Sequence, residues 1–296
     1  MWRGNGVMPT QVPEPRSEEA QTFALARMTA AQLPQALALS SEMNWPYRLE
    51  DWAFAHSLGH GLALQLEGRV VATGMWWPNG EAFATAGMII VAKAQQGRGL
   101  GARLFDVLLG EVGSRTVMLN STEEGFELYR RRGFAVVGEL HQHQGILNPG
   151  VASLQPQIRE AQETELERIV RLDEAASGRP RRELLEALAG EARFTVLERE
   201  GVLRGFAARR RFGRGHVIGP VVAEDADQAQ ALIGAAAADL VGAFVRVDTP
   251  AELGLTPWLE ARGLPSVGMA TTMVRGAPPQ PRRKARIFAL CSQSLG

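Results

Sequence analysis

The chain of 296 residues, 45% hydrophobic and 22% charged, is long enough for two domains with cores of their own and has the balance of a globular protein, not of a fibre or a disordered segment. Its 32 basic residues match its 32 acidic ones, so no overall field draws in nucleic acid or an anionic membrane. The one cysteine, Cys291, excludes an internal disulfide and a cysteine-rich zinc site, and no apolar run reaches membrane-spanning length; a cytoplasmic protein with no nucleic-acid partner, no membrane partner and no metal is expected.

Residues 1–20, rich in Pro, Gly and charge, read as a flexible tail without a secretion signal. From Thr22 a short strand, TFALAR, leads into a helix of sequence AAQLPQALALSSEM, and a second helix, LEDWAFAHSL, starts at Leu49. Between them Trp45, Tyr47 and Trp52 bracket Glu50 and Asp51. Aromatic rings beside carboxylates can hold an ammonium group, although the same residues also read as loop and core packing. Three strands follow, ALQL from Ala63, RVVATGMWW from Arg69 and EAFATAGMIIV from Glu81, with Glu67-Gly68 and Pro78-Asn79-Gly80 as hairpin signals. Trp76 and Trp77 point to opposite faces of their strand, so at most one reaches a groove.

The third strand ends at Val91, and Gln96-Gly97-Arg98-Gly99-Leu100-Gly101 then opens directly into an apolar-periodic helix. This is the pattern of a phosphate cradle: glycines let the backbone turn tightly and approach an anion, while unpaired amides and the positive helix end point at it. Gly97, Gly99 and Ala102 also fit the dinucleotide fingerprint, but two features of a nicotinamide site are missing. The next strand, VMLN from Val117, ends in Asn120 where an acidic ribose partner is expected, and four residues separate Val91 from Gln96. A helix carrying Tyr129 and a last strand from Phe134 complete this half. His141 and His143 share one face of that strand. Either can take a proton near neutral pH, and no third ligand turns them into a metal site.

The loop resembles the pyrophosphate-binding motif of the GNAT superfamily of N-acetyltransferases, Q/R-x-x-G-x-G/A, with Gln96, Gly99 and Gly101 in the fixed positions. NSTEEGFELYRRRGF, from Asn120 to Phe134, resembles that family's second conserved segment at the usual separation. The resemblance implies an α/β (α+β) fold built on a mixed, mostly antiparallel twisted sheet flanked by helices, with the catalytic domain at 21–146 and acetyl-CoA as donor. It implies that the fourth and fifth strands splay after a bulge near Ile90 and Val91, and that the pantetheine arm lies along Ile89, Ile90 and Val91 as a pseudo-strand, its carbonyl on a freed Val91 amide. Gln96 and the amides of Gly97, Arg98, Gly99, Leu100, Gly101 and Ala102 would hold the pyrophosphate, and Asn120 the pantetheine. Tyr129 would protonate the departing thiolate. A phenol of pKa about 10 keeps its proton at neutral pH and can pass it to a thiolate whose acid lies near 8.5. Core packing is the other reading of Tyr129, and a strand-end cap that of Asn120. Glu81 serves poorly as a base at roughly 30 Å of extended strand from the bulge, and none is assigned. The region of Trp45, Tyr47 and Trp52 commonly lines the acceptor groove in this family.

Residues 147–157 read as a linker, and 158–296 echo the first half. Glu200-Gly201 stands where Glu67-Gly68 stood, and VRVDTPAELGLTPWLEARGLPSVG from Val245 parallels VMLNSTEEGFELYRRRGFAVVG from Val117. In place of the cradle the second half has VVAEDADQAQALIG, whose carboxylates would repel a pyrophosphate, and Leu259 replaces Tyr129. A tandem protein is expected, with one active site and a degenerate second domain serving as scaffold or acceptor wall. Arginine clusters at 179–182, 209–214 and 282–286 read as solvated faces or, if they converge on the cradle, as an anion site. The expected activity is acetyl transfer from acetyl-CoA to a primary amine of a small molecule or amino acid, by direct attack in a ternary complex, in a monomer or homodimer. An acyl-CoA sensor with little turnover is the alternative; a nicotinamide oxidoreductase ranks third.

Overall fold

The computed structural model describes residues 23–150 and 156–296; the expected tail and part of the expected linker lie outside the described residues. The first half runs β1 (Phe23–Arg27), α1 (Leu33–Glu42), α2 (Leu49–Leu58), β2 (His60–Leu66), β3 (Arg69–Asn79), β4 (Phe83–Val91), α3 (Leu100–Val112), β5 (Thr116–Ser121), α4 (Glu123–Arg130) and β6 (Ala135–Ile146). The second half repeats that order with β7 (Ile158–Glu160), α5 (Leu166–Ser177), α6 (Arg182–Glu191), β8 (Arg193–Arg199), β9 (Val202–Phe212), β10 (Gly215–Ala223), α7 (Ala226–Ala236), β11 (Phe244–Pro250), α8 (Thr256–Glu260) and β12 (Ser266–Arg275). It then adds β13 (Arg286–Ala289), which has no counterpart in the first half. Glu81 falls in the turn before β4 and is exposed. The repeat extends to the turns: Glu67-Gly68 has φ 50° and 77°, and Glu200-Gly201 has 53° and 73°. Two successive positive φ values match the twist of a tight hairpin.

Among the described residues all strands join one sheet, in the order β1-β2-β3-β4-β5-β12-β6-β11-β10-β9-β8-β7, with β13 against β10. The halves therefore exchange their last strands. β5 pairs antiparallel with β12, from Thr271↔Ser121 to Arg275↔Val117, and β6 pairs with β11, from Phe244↔Ile146 to Pro250↔Leu140. The sequence repeat leaves β6 and β12 equivalent, so periodicity alone does not say which half each completes. Neither half of the sheet is whole without a strand from the other.

The helices cover the sheet in two sets. Leu100, Leu104, Phe105, Leu108 and Val112 recur along one stripe of α3 and, with Tyr129 of α4, pack on one face of the first half; α7 and α8 pack on the same face of the second. On the other face α1, α2, α5 and α6 share a single core that runs across both halves, including Trp52, Phe54, Leu185, Leu188 and Phe206. A polar joint lies beside it. Asp51, 2% exposed, accepts from the Arg48 amide at 2.9 Å, the Gly213 amide at 2.9 Å and Arg210 Nη1 at 3.2 Å. Each carboxylate oxygen is thereby satisfied, as burial of a charge requires. No helix among the described residues is long and apolar enough to cross a membrane.

Candidate active site

β4 and β5 are parallel neighbours only over Phe83–Thr85 and Thr116–Met118; beyond Thr85↔Met118 the pairing stops and a gap opens. Its cause lies on the other edge of β4, where Thr73 pairs with Ile90 but Met75 pairs with Gly87, so that Met88 and Ile89 stand opposite the single Gly74. Met88 has φ 51°, which a methionine adopts only where its surroundings compel it. The bulge reverses the facing of the strand: Ala84 and Ala86, then Ile89 and Val91, lie towards α3, whereas Met88 and Ile90 lie in the α1–α2 core. A Cβ on Gly74 would overlap the Leu104 side chain of α3, so a larger residue there would have to displace it. The expected bulge near Ile90 and Val91 is thus corrected to Met88–Ile89. The end of the strand stays on β3, with the Ala92 amide bonded to the Val71 carbonyl at 2.8 Å.

At the open end of the gap lies the glycine loop. Gly97 and Gly99 have φ 75° and 74°, and a Cβ on either would meet nothing within 4 Å. Gly99 caps α3 in the left-handed conformation without a side-chain cap. Among the described residues the amides of Gly97, Gly99, Leu100, Gly101 and Ala102 make no hydrogen bond to protein, the first helical bond being Arg103 N to Gly99 O at 3.0 Å. Such a row of amides at a helix start is an anion-binding surface. Gln96 secures the loop, donating from Nε2 to the Val91 carbonyl at 3.1 Å. Arg98 Nη1 donates to Gln95 Oε1 at 2.6 Å, and its guanidinium lies 5.2 Å over the Phe23 ring. The Leu100 side chain is core, so only its backbone faces the loop.

Tyr129 and Asn120 lie on opposite faces of the sheet. Tyr129 is 8% exposed, its ring edge-on to Phe105 at 5.0 Å and to Phe134 at 6.0 Å. It folds back over Gly125, where a Cβ would come within 2.9 Å of the ring, towards Ser121 at the end of β5. Loss of water around the phenol pushes its pKa well above the ordinary value, which keeps it protonated. An ion pair steadies this helix: Arg132 Nη2 donates to Asp106 Oδ2 at 2.8 Å and holds that carboxyl below the usual range, tying the end of α4 to α3. Asn120 faces the α1–α2 side. Its Nδ2 donates to the Gln293 carbonyl at 2.7 Å, and its Oδ1 accepts from Thr272 Oγ1 at 2.7 Å.

The expected acceptor residues separate. Trp52 is fully buried in the core and donates to Ser40 Oγ at 3.1 Å, so its assignment to the acceptor site is corrected to packing. Asp51 is consumed by the joint described above and has no oxygen for an ammonium. Trp45 and Tyr47 stay half-buried at the seam, with Tyr47 edge-on to Phe212 of β9 at 5.3 Å. Burial raises the Tyr47 pKa, and its hydroxyl lies against Ser294. Trp76 and Trp77 are both buried, their indoles donating to Glu111 at 3.3 Å and to the Ala55 carbonyl at 2.7 Å. His141 and His143 both bond Thr256 Oγ1 at 3.1 Å, and His143 Nδ1 lies 2.8 Å from the Leu264 carbonyl, on the α8 face and away from the gap. Nor do the arginine clusters converge on the cradle. Arg181 is buried against Asp173, Arg210 against Asp51, and Arg209 pairs with Asp239.

The second half contains the equivalent gap, and it is full. β10 and β11 are parallel neighbours only at His216↔Val245 and Val217↔Arg246, after which β13 enters between them. It pairs with β10 through Val221↔Ala289 and Ala223↔Arg286, and the Leu290 amide bonds the Asp248 carbonyl of β11 at 2.9 Å. Gly219 lies against the Leu290 carbonyl so closely that a Cβ would overlap it. The helix start is closed as well, since Asp225 caps α7 by accepting from the Gln228 amide at 2.9 Å. From β13 the chain continues to the first gap, where Gln293 meets Asn120 and Ser294 packs on Gly87, its Oγ 2.7 Å from where a Cβ would stand. Beside these residues a cavity of about 420 Å³ opens over β5, β12 and β6, lined by Asn120, Thr272, Leu140, Leu253, Ile287 and Leu290. Gly87, Met88, Thr272, Gln293 and Ser294 were not singled out by sequence. A glycine inside the AGMIIV run was the available signal for the bulge; nothing local marked the others.

Family models described as acetyltransferase (GNAT) domain match twice, at residues 60–148 and 169–289. Holothin acyltransferase of Pseudoalteromonas sp. (strain SANK 73390) is 30% identical over 219 residues, 72% of this chain and 74% of that protein. The uncharacterized N-acetyltransferase YitH of Bacillus subtilis (strain 168) is 28% identical, over 57% of this chain and 61% of its own length. In fold the chain is similar to a Pyrococcus horikoshii protein described as an acetyltransferase, with TM-score 0.77, 19% identity and coverage of 97% and 100%. It is also similar to a tandem GNAT protein from the clavulanic acid biosynthesis pathway, with TM-score 0.62, 14% identity and coverage of 88% and 100%.

Proposed function

The chain belongs to the GNAT acetyltransferase family, with two of the family's domains in tandem, and from this we propose that its first domain alone binds acetyl-CoA and transfers the acetyl group to a primary amine of a small molecule. The observation that carries this reading is the contrast between two equivalent gaps. Among the described residues the first has open strand edges and a helix start whose amides of Gly99, Leu100, Gly101 and Ala102 make no hydrogen bond to protein; the second has β13 between its strands and Asp225 on its helix start. A diphosphate at the amides of Gly97 to Ala102 gains charge-assisted hydrogen bonds and the favourable end of the α3 dipole. A pantetheine arm laid between β4 and β5 satisfies backbone groups that the splay leaves without a strand partner. In this reading the thioester oxygen is received by a backbone amide near the bulge, at Met88 or Ile89 or at the expected Val91, a choice supported only by the register shift at Met88–Ile89.

In this reading the amine attacks the thioester carbonyl directly, with both substrates bound. Hydrogen bonding to the carbonyl oxygen stabilises the charge that develops there, Tyr129 supplies a proton to the leaving sulfur from the α3 side, and the proton shed by the acylated nitrogen passes to solvent, from which the phenol is reprotonated. The acceptor occupies the cavity on the opposite face, whose size of about 420 Å³ suits a small molecule. Its walls come from both halves, so the second domain acts as acceptor wall. The relative named for holothin supports transfer of an acyl group as the chemistry. The test is release of free CoA from acetyl-CoA in the presence of a panel of small amines. Turnover with at least one amine is expected; tight acetyl-CoA binding with no CoA release from any of them would favour a sensor.

A further inference from the structure

We propose that the peptide Gln293-Ser294 is the end-stop of the donor slot, and that Ser294 sets the length of acyl group accepted. The inference rests on the reading of the first gap as that slot. Strand pairing between β4 and β5 ends at Thr85↔Met118, and the first residues beyond it on the α1–α2 face are Gly87 and Asn120. The peptide bridges these two walls: the Gln293 carbonyl accepts from Asn120 at 2.7 Å, and Ser294 rests on Gly87. A chain entering from the cradle and running between the strands therefore ends beneath Ser294. The apolar-walled cavity lies alongside, bordered by Thr85, Met118 and Asn120 of the slot's own walls as well as by Gln293 and Ser294, so an amine there meets the acyl carbonyl without passing the stop.

The stop is held rigidly from both directions. Upstream, β13 is locked into the second gap by its pairing with β10 and by the Leu290 to Asp248 bond. Downstream, Leu295 is 4% exposed in the shared core, its amide bonds Ser292 Oγ at 3.2 Å, and the Gly296 carbonyl accepts from Arg181, itself buried against Asp173. Gln293 Nε2 donates sideways to Gln142 Oε1 at 3.1 Å. A longer acyl chain cannot swing this peptide aside without breaking several buried polar contacts at once, and such contacts are costly to leave unmade. An acetyl group ends short of it. The segment that fills the second gap thus shapes the first, which gives β13 a role beyond plugging an unused cleft.

The experiment measures dissociation constants of CoA, acetyl-CoA and butyryl-CoA by calorimetry, which needs no acceptor. For the unaltered protein, butyryl-CoA is expected to bind at least about tenfold more weakly than acetyl-CoA. Ser294→Gly should bring the two within about threefold while leaving CoA within about twofold of its original value. Gly87→Ala is a second route to the same effect, since its Cβ would stand 2.7 Å from Ser294 Oγ and 2.9 Å from Ser294 Cβ and lift the peptide. Melting temperatures confirm that each variant is folded. Equal binding of acetyl- and butyryl-CoA by the unaltered protein, or an unchanged ratio in both folded variants, overturns the end-stop. Absence of any CoA binding overturns the donor-slot reading itself, and the end-stop with it.

Discussion

Substitutions at Gly99 separate the stability of the cradle from its affinity. The residue sits at φ 74°, ψ 5°, and a Cβ there meets no heavy atom within 4 Å. Gly99→Ala therefore costs only the left-handed backbone, about 1–2 kcal/mol. Gly99→Glu carries the same backbone cost, offset by about 0.3–1 kcal/mol because a carboxylate suits a helix start. The two variants should melt within a few degrees of each other. Their affinities should diverge. A carboxylate about 6 Å from one phosphate charge repels it by about 2.8 kcal/mol at an effective dielectric near 20, which is about a hundredfold in affinity before the second charge is counted. The alanine methyl shadows one amide, and a hydrogen bond to a charged group is worth about 1.5–3 kcal/mol, so about a tenfold loss is expected. Titration calorimetry with CoA at fixed ionic strength, with a thermal melt of each variant, gives both quantities. A folded Gly99→Glu protein that binds CoA within about threefold of the original refutes the assignment of these amides to the diphosphate.

Tyr129→Phe keeps the ring between Phe105 and Phe134 and removes only the hydroxyl; CoA release should slow by about a hundredfold with acetyl-CoA affinity unchanged, whereas unaltered turnover would leave the residue as packing. Asp51→Ala leaves Arg210, 4% exposed, without its carboxylate, and should lower unfolding free energy in urea by about 3–5 kcal/mol; a loss below about 1 kcal/mol would mean that the joint between the halves is not held there. His143 is held below the ordinary histidine pKa, chiefly by burial. Between that lowered value and about 6.5 the unfolded chain therefore binds a proton that the folded protein does not. Stability should fall as pH drops through this window, by at most about 1.4 kcal/mol per pH unit, and His143→Gln should flatten the dependence of melting temperature on pH between about 7.5 and 5.5. An identical slope in the variant would place the titrating group elsewhere.

What could be read from the order of residues was local. Gln96 to Gly101 set the left-handed turns and the bare helix start of α3 through the backbone freedom of Gly97 and Gly99, and the Glu-Gly pairs set both hairpins. Repetition of whole segments revealed the tandem arrangement, and the acidic loop at 224–227 revealed that the second helix start differs from the first. Contacts across long separations were not legible. β6 and β12 carry equivalent patterns, so their exchange shows only in the pairing of β5 with β12 and of β6 with β11. A bulge displaced to Met88 depends on how α3 seats on Gly74, and the burial of Trp52 and Asp51 depends on a second half that packs against α2. Most of all, Leu290 to Gly296 carry no motif. They matter because β13 lodges in one gap and so delivers Ser294 to the other, roughly two hundred residues away in sequence, and periodicity holds no record of such a distance.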